Sequence, residues 1–198
     1  HHAQSMYSWF VHSPGLRVVV PSTSADAKGL MKTALRQDNP VLFFEEKILY
    51  RTRWEVPPEY YNTDFTIPFG KADVKRQGQD VTVVATLAMV HYAIEAARRL
   101  EKEGTSVEVI DPRTLAPLDR EIILASVRKT GRLVVVDEAY LSCGIQGEII
   151  ASVTEKAFHY LKAPPIRLGN PGVPVPFAPT LEEAVIPNID KIEQAIRE

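Results

Sequence analysis

The chain has 198 residues, room for one large domain or two small ones, and 45% of them are hydrophobic, enough to bury a core. Its 23 Lys and Arg nearly cancel 25 Asp and Glu, so the overall charge leaves no footprint for nucleic acid or an anionic membrane surface. The one cysteine, Cys143, excludes an internal disulfide and a multi-cysteine metal cluster and fits a reducing compartment; by residue type it is expected to be small and buried.

The first five residues read "HHAQS", and the pair His1 and His2 is either the remnant of an added tag or native. "LRVVVPS" (16–22) is a short β-branched run closed by Pro21, and "TSADAKGLMKTALRQ" (23–37) follows at helical spacing. Thr23 with Asp26 three residues on resembles a capping box, which places the helix start near Ser24. "QDNP" breaks that helix, and "VLFFEEKILY" (41–50) is a second strand-like run. The stretch "RTRWEVPPEYYNTDFTIPFG" (51–70) has neither a period of 2 nor one of 3.6 and reads as a linker packed over a surface.

Strands and helices then alternate clearly: strand 81–88, helix 90–104, strand 106–111, helix 119–131, strand 132–139, helix 145–161 and strand 165–169. Val90, Ile94, Ala97 and Leu100 make one helix face, and Gly104 and Gly131 stand where C-terminal caps belong. A parallel strand pair requires a crossover, so this spacing predicts an open parallel sheet covered on both faces. A Pro-rich stretch (169–187) leads to a last helix with Ile189, Ile192 and Ile196 on one side.

In such sheets ligands collect beyond the carboxyl ends of the strands. Asp111, Asp137 and Glu138 close two strands there, as catalytic groups or, in the more ordinary use, as helix caps or ion pairs at a domain interface. No G-x-G-x-x-G or P-loop pattern follows a strand, His1, His2, His12, His91 and His159 show no zinc-ligand spacing, and no G-x-S-x-G elbow occurs. His91 and His159 are expected on helices, at a surface or an interface. The residue pattern reaches two α/β units and no reaction.

The segments "HHAQS", "PGLRVVVPSTSADAKGLMKTALRQDNPVLFFEEKILYR", "GQDVTVVA", "VEVIDPRTLAPLD", "KTGRLVVVDEA" and "GEI", taken together and in order, resemble the beta subunit of thiamine diphosphate-dependent 2-oxo acid dehydrogenases. These are the decarboxylating components of the pyruvate and branched-chain complexes, and the resemblance runs through essentially the whole chain. It implies an α/β fold in two parts. Residues 1–66 would be the C-terminal part of a pyrimidine-binding domain plus linker, and residues 67–198 a transketolase C-terminal-like domain of three α/β/α layers. The chain is thus expected to be the C-terminal portion of a longer subunit.

The resemblance further implies oxidative decarboxylation of a 2-oxo acid and acyl transfer to lipoamide, with "FFEEKILYR" closer to branched-chain than to pyruvate members. Thiamine diphosphate and magnesium would be bound mostly outside this chain, because the activating glutamate lies upstream and the alpha subunit holds the diphosphate and its metal. Implied partners are that alpha subunit, a second beta subunit, completing a heterotetramer, and the subunit-binding domain of the dihydrolipoyl acyltransferase core; nucleic acid and membrane are not among them. The compartment would be the cytoplasm, or the mitochondrial matrix in a eukaryote. The alternatives are a transketolase-like or acetoin dehydrogenase subunit, or a non-catalytic assembly module.

Residue by residue, His2 matches the family histidine that faces the thiazolium ring and assists proton transfers during acyl transfer, a task suited to imidazole with its unperturbed pKa of about 6.5. "AQS" follows His2 at the family's spacing, with Pro21, Ala27, Lys28 and Gly29 in register behind it, which favours a native His2. His1 fills a variable position and His12 reads as a packing or cap residue. "RQDNP" matches a turn where members bind a monovalent cation through backbone carbonyls, around Ala34, Gln37 and Asn39, although Gln37 stands where relatives often carry an acid. Cys143 replaces the first glycine of a Gly-Gly pair after "VDEA", a place where the backbone is less permissive for a side chain.

Overall fold

A computed structural model describes residues 4–53 and 56–198. A short helix α1 (Tyr7–Val11) precedes strand β1 (Arg17–Val19), helix α2 (Ser24–Ala34) and strand β2 (Val41–Phe43), which lies parallel to β1. Thr23 caps α2, its hydroxyl oxygen accepting the Asp26 N–H at 3.1 Å. Only half of a capping box forms, because the Asp26 carboxylate accepts from the Thr23 hydroxyl at 2.6 Å and from residues of the second unit. The strand expected over 41–50 ends at Phe43, opposite the last residue of β1, and the chain turns into a 3-10 helix, Lys47–Arg51. With no partner residue left to pair, the apolar pattern of 44–50 has no ladder to join.

The linker lies on α2 as a strap. Lys28 Nζ donates to the carbonyls of Tyr60 at 2.6 Å and Asn62 at 3.2 Å, and Ile67 joins Val19 and Leu30 in a small buried cluster. Phe65 and Ile67 approach α2 at Gly29, where a Cβ would lie 2.6 Å from the Phe65 ring and from the Ile67 side chain. Absence of a side chain at that point is what lets the strap close.

Beyond it come β3 (Asp73–Arg76), β4 (Val81–Ala85), α3 (Ala88–Glu101), β5 (Val107–Asp111), β6 (Thr114–Ala116), α4 (Arg120–Thr130), β7 (Leu133–Tyr140), α5 (Ile145–Ala157), β8 (Ile166–Asn170), α6 (Pro179–Val185) and α7 (Ile189–Arg197). Five of the strands form a sheet in the order β3-β5-β4-β7-β8, in which β5, β4, β7 and β8 are parallel and β3 is an antiparallel edge. Strand alternation sorts the core. Val83, Ala85, Val134 and Val136 face α3 and α7, while Val84, Leu133 and Val135 face α4 and α5. Gly131 closes α4 in the left-handed region (φ 76°), the cap its position suggested. Gly104, also at positive φ (90°), lies three residues beyond the end of α3.

Strand β6 belongs to the other sheet. It pairs antiparallel with β1, Val18 opposite Ala116 and Val19 opposite Thr114, giving the order β2-β1-β6. The second unit therefore completes the sheet of the first, and one buried cluster runs from Tyr7, Val18 and Val20 into Val84, Leu115, Val135 and Ile149. Three residues of "TLA" carry too little pattern to announce a strand. The short α1 and α6, and β3 too, lie in stretches with no periodic signal. Among the described residues no helix is long and apolar enough to cross a membrane.

Candidate functional site

The connection from β4 through α3 leads to β5 on one side of β4, whereas β7 lies on the other. The carboxyl ends of β4 and β7 thus mark a topological switch point, where open α/β sheets form clefts. Thr86 and Leu87 follow β4 there, and Asp137 and Glu138 stand near the end of β7. The first unit inserts Ser5, Tyr7 and Glu46 into the same place.

Each insertion makes a specific contact. Ser5 Oγ donates to Glu138 Oε1 at 2.5 Å, and the Tyr7 hydroxyl donates to Asp137 Oδ1, which also accepts the Ala139 N–H at 3.1 Å. Glu46 Oε2 accepts the Ala88 N–H at 2.8 Å, so an acid from the first unit caps a helix whose own N-cap, Leu87, offers no side chain. Acids are favoured at that position because free amides and the helix dipole concentrate positive potential there. Leu87 itself takes a positive φ of 50°, a strained turn that brings the helix start over the strand end.

The acids share a low-polarity setting. Burial, reinforced by the charge of Glu138, pushes the Glu46 carboxyl up to about 8. Burial also raises Glu138, against hydrogen bonds from Ser5 and Glu46 that pull it down. Asp137 is pushed by burial to about 6, and Tyr7 rises well above the usual phenol range through burial and the charge of Asp137. At neutral pH the Glu46–Glu138 pair therefore holds a proton, as two close carboxylates out of water must. Asp137 Oδ2 and Thr86 Oγ1 are buried with no hydrogen-bond partner. Two clefts flank the pair, one of about 600 Å³ over Met89, Tyr92 and Ile186, the other of about 540 Å³ bordered by Gln4, Ser5 and Leu87. Glu182 of α6 borders both.

A second cluster lies at the end of β5. Fully buried Asp111 accepts from the Ser22 hydroxyl and faces Lys75 Nζ at 3.7 Å; Lys75 also meets Asp26 at 2.7 Å and Asp73 at 2.9 Å, and Arg113 meets Asp26 at 3.3 Å. Burial lifts Asp111 to about 6, although Lys75 pulls it down. His91 of α3 contacts the Ser22 carbonyl through Nε2 at 2.6 Å, and burial lowers its pKa. Asp111 is thus an interface ion-pair residue, the ordinary use of a strand-end acid.

The sequence-derived residues fall in different places. His2, with His1, lies outside the described residues. His12 is an exposed C-cap of α1, and His159 is exposed in a 3-10 turn after α5. Ala34, Gln37 and Asn39 occupy the turn leaving α2, where the Ala34 carbonyl accepts the Gln37 N–H at 3.1 Å. Cys143 is exposed, not buried as its type suggested, and takes φ 57°. It sits in the tight turn that starts α5, a position that favours glycine. Among the described residues no three or more His, Cys, Asp or Glu side chains are grouped to hold a metal ion. The pattern of the chain pointed to Asp137 and Glu138 but missed Ser5, Tyr7 and Glu46; their only signal is the short "SMYSWF" run and the two acids, Glu45 and Glu46, after β2.

Residues 1–53 match the family described as "Transketolase, pyrimidine binding domain" and residues 70–192 that described as "Transketolase, C-terminal domain". Among curated proteins the chain is 48% identical over 96% of its length to the acetoin:2,6-dichlorophenolindophenol oxidoreductase subunit beta of Bacillus subtilis. It is 46% identical over 100% to the 2-oxoisovalerate dehydrogenase subunit beta of the same organism, and 45% over 99% to a mitochondrial pyruvate dehydrogenase E1 component subunit beta-2 of Oryza sativa. The chain spans 55%, 60% and 52% of those relatives, in that order. Among solved structures, a split gene transketolase described as an inactive beta4 tetramer superposes with a TM-score of 0.77 at 25% identity, over 96% of this chain and 59% of that one. With both transketolase domain descriptions matched in order, the chain belongs to the transketolase-type family that includes the beta subunits of 2-oxo acid and acetoin dehydrogenases.

Proposed function

We propose that the chain is the C-terminal portion of the beta subunit of a thiamine diphosphate-dependent dehydrogenase that oxidatively decarboxylates a 2-oxo acid and passes the acyl group to lipoamide. The observation that carries this reading is the match, at 45–46% identity over 99–100% of the chain, to beta subunits named for pyruvate and 2-oxoisovalerate dehydrogenases. As the family resemblance implies, the cofactor's diphosphate and magnesium would be held by the alpha subunit and its aminopyrimidine by a carboxylate of the subunit outside this chain, with the boundary between the two domains near 66. When bound, thiamine diphosphate supplies the nucleophilic carbon that decarboxylation needs. What this chain adds is His2, as the imidazole that gives and takes protons near neutrality, and a rigid C-terminal domain for a second beta subunit and for the acyltransferase core. A beta-only tetramer among its structural relatives supports beta–beta pairing. Ala34, Gln37 and Asn39 are the proposed carbonyl turn for a monovalent cation, and the cytoplasm or mitochondrial matrix is the proposed compartment.

A second substrate class has its own support: "FFEEKILYR" favours branched-chain 2-oxo acids, whereas the 48% identical acetoin relative favours acetoin. The deciding experiment assembles the full parent subunit with its alpha partner and measures dye reduction with pyruvate, branched-chain 2-oxo acids and acetoin. Turnover of one 2-oxo acid class with transfer to lipoamide is the expected result; acetoin alone would select the second reading, and no thiamine diphosphate-dependent turnover would overturn both. In that assembly His2→Ala should lower acyl transfer about 10²-fold, as for a positioned acid-base group.

A further inference from the structure

Glu46 stands on the wall shared by three clefts: the two that flank the acid pair and a third of about 270 Å³ between the start of α2 and the 3-10 helix Lys47–Arg51. The segment that carries it, residues 45–52, has little other polar hold on the second unit. Tyr50 donates to Glu45 and Thr52 to the Ile48 carbonyl, both within the segment, and the 3-10 helix has no buried residue. Among the described residues, Glu46 is its one side chain hydrogen-bonded across the interface, to the Ala88 amide and to Glu138. Leu49 adds apolar contact with both main cores. We infer that the segment is a strap fastened to the second unit by the Glu46–Glu138 carboxyl pair, and that loss of the shared proton releases it from α3 and β7 and joins the three clefts.

One proton decides the state of the strap because the groups around it are acids, phenols or cations already engaged. Glu138 and Asp137 face Glu46 from β7 and Tyr92 from α3, while Tyr7 of α1 spends its hydroxyl on Asp137. Across the larger cleft α6 brings Glu182 and Glu183, and α7 brings Asp190. Arg99 of α3 is paired with Asp190 and Glu193, and on the strap itself Glu45 is bonded to Tyr50. Lys47, the adjoining residue, makes no ion pair with Glu46 among the described residues. Protonated, Glu46 gives its hydrogen to the Glu138 carboxylate while its other oxygen keeps the Ala88 amide. Ionised, the two carboxylates repel out of water, and burial with that repulsion outweighs the gain of a charged cap at the helix start. Because they push the Glu46 carboxyl up to about 8, the strap is fastened at neutral pH and freed as pH rises through that value.

Hydrogen exchange in the full parent subunit, resolved along the chain and corrected for the intrinsic rate at each pH, tests this from about pH 6.5 to about pH 9. The Ala88 amide should lose about tenfold of its protection above pH 8, since the released fraction follows the ionised fraction by about tenfold per pH unit, while the Val83 and Val135 amides in the sheet keep theirs. Glu46→Gln and Glu138→Gln each retain a hydrogen bond between the two side chains and remove the repulsion, so both should hold the Ala88 protection flat. A flat profile in the native subunit, a fall shared equally by the sheet amides, or the native fall persisting in the variants would overturn the strap. Either variant decides alone if the other fails to fold.

Discussion

The two buried charge clusters at the strand ends solve the same problem in opposite ways. At the end of β5, Asp26, Asp73 and Asp111 are neutralised by Lys75 and Arg113, whose side chains are only 13% and 12% exposed. At the end of β7, Glu46, Asp137 and Glu138 meet hydroxyls, backbone amides and a retained proton, with no Lys or Arg ion pair to any of the three among the described residues. The first is a closed lock between the two units. The second keeps unspent hydrogen-bonding capacity beside two clefts, the character expected of a functional site and not of a structural one.

Breaking the lock should have the largest effect. Lys75→Met leaves Asp26 and Asp111 buried with one cation fewer and should cost about 3–5 kcal/mol in denaturant unfolding; a loss below about 1 kcal/mol would mean that the lock is not held by charge. In the acidic cluster Tyr7→Phe removes a neutral donor from Asp137 and should cost about 1–3 kcal/mol by the same measurement. Thr23→Ala, which removes the α2 cap and a hydrogen bond to Asp26 together, should cost about 1 kcal/mol.

The smallest effect is the most diagnostic, because Glu46 and Asp26 respond to pH with opposite sign. Glu46 binds its proton more tightly in the fold than in the unfolded chain, up to about 8 against about 4.3. Its contribution therefore declines as pH rises through that window and levels off above it. Asp26 is lowered, net, by Lys75 and its hydrogen bonds against burial that raises it, so its contribution is present at neutral pH and is lost as pH falls below the usual carboxylate range. Thermal midpoints from pH 5 to 9 should thus fall more gently with rising pH in Glu46→Gln than in the native chain. An unchanged slope would show that Glu46 is ionised at neutrality.

What could be read from the chain and what could not divide along the same line. Thr23 caps α2 and Gly131 ends α4 as expected, because a cap is decided by residues within one helical turn. Val83 and Val136 face one side and Val84 and Val135 the other because alternation belongs to each strand separately. The strand-end acids Asp111, Asp137 and Glu138 were visible for the same local reason. Their uses were not. Ser5 and Glu138 are 133 residues apart, and nothing near either marks the pairing.

Cys143 shows the limit from another side. Its type predicts burial, yet the turn before α5 exposes it, because a backbone path set by β7, α5 and Gly144 overrides the preference of one side chain. Local propensity, periodicity and a family resemblance were sufficient to define an α/β chain of transketolase type. Which sheet β6 joins, which acid caps α3, and whether a buried carboxylate meets a lysine or another carboxylate depend on packing of distant segments, since desolvation and long-range hydrogen bonds acquire their energies only once the two units close on each other.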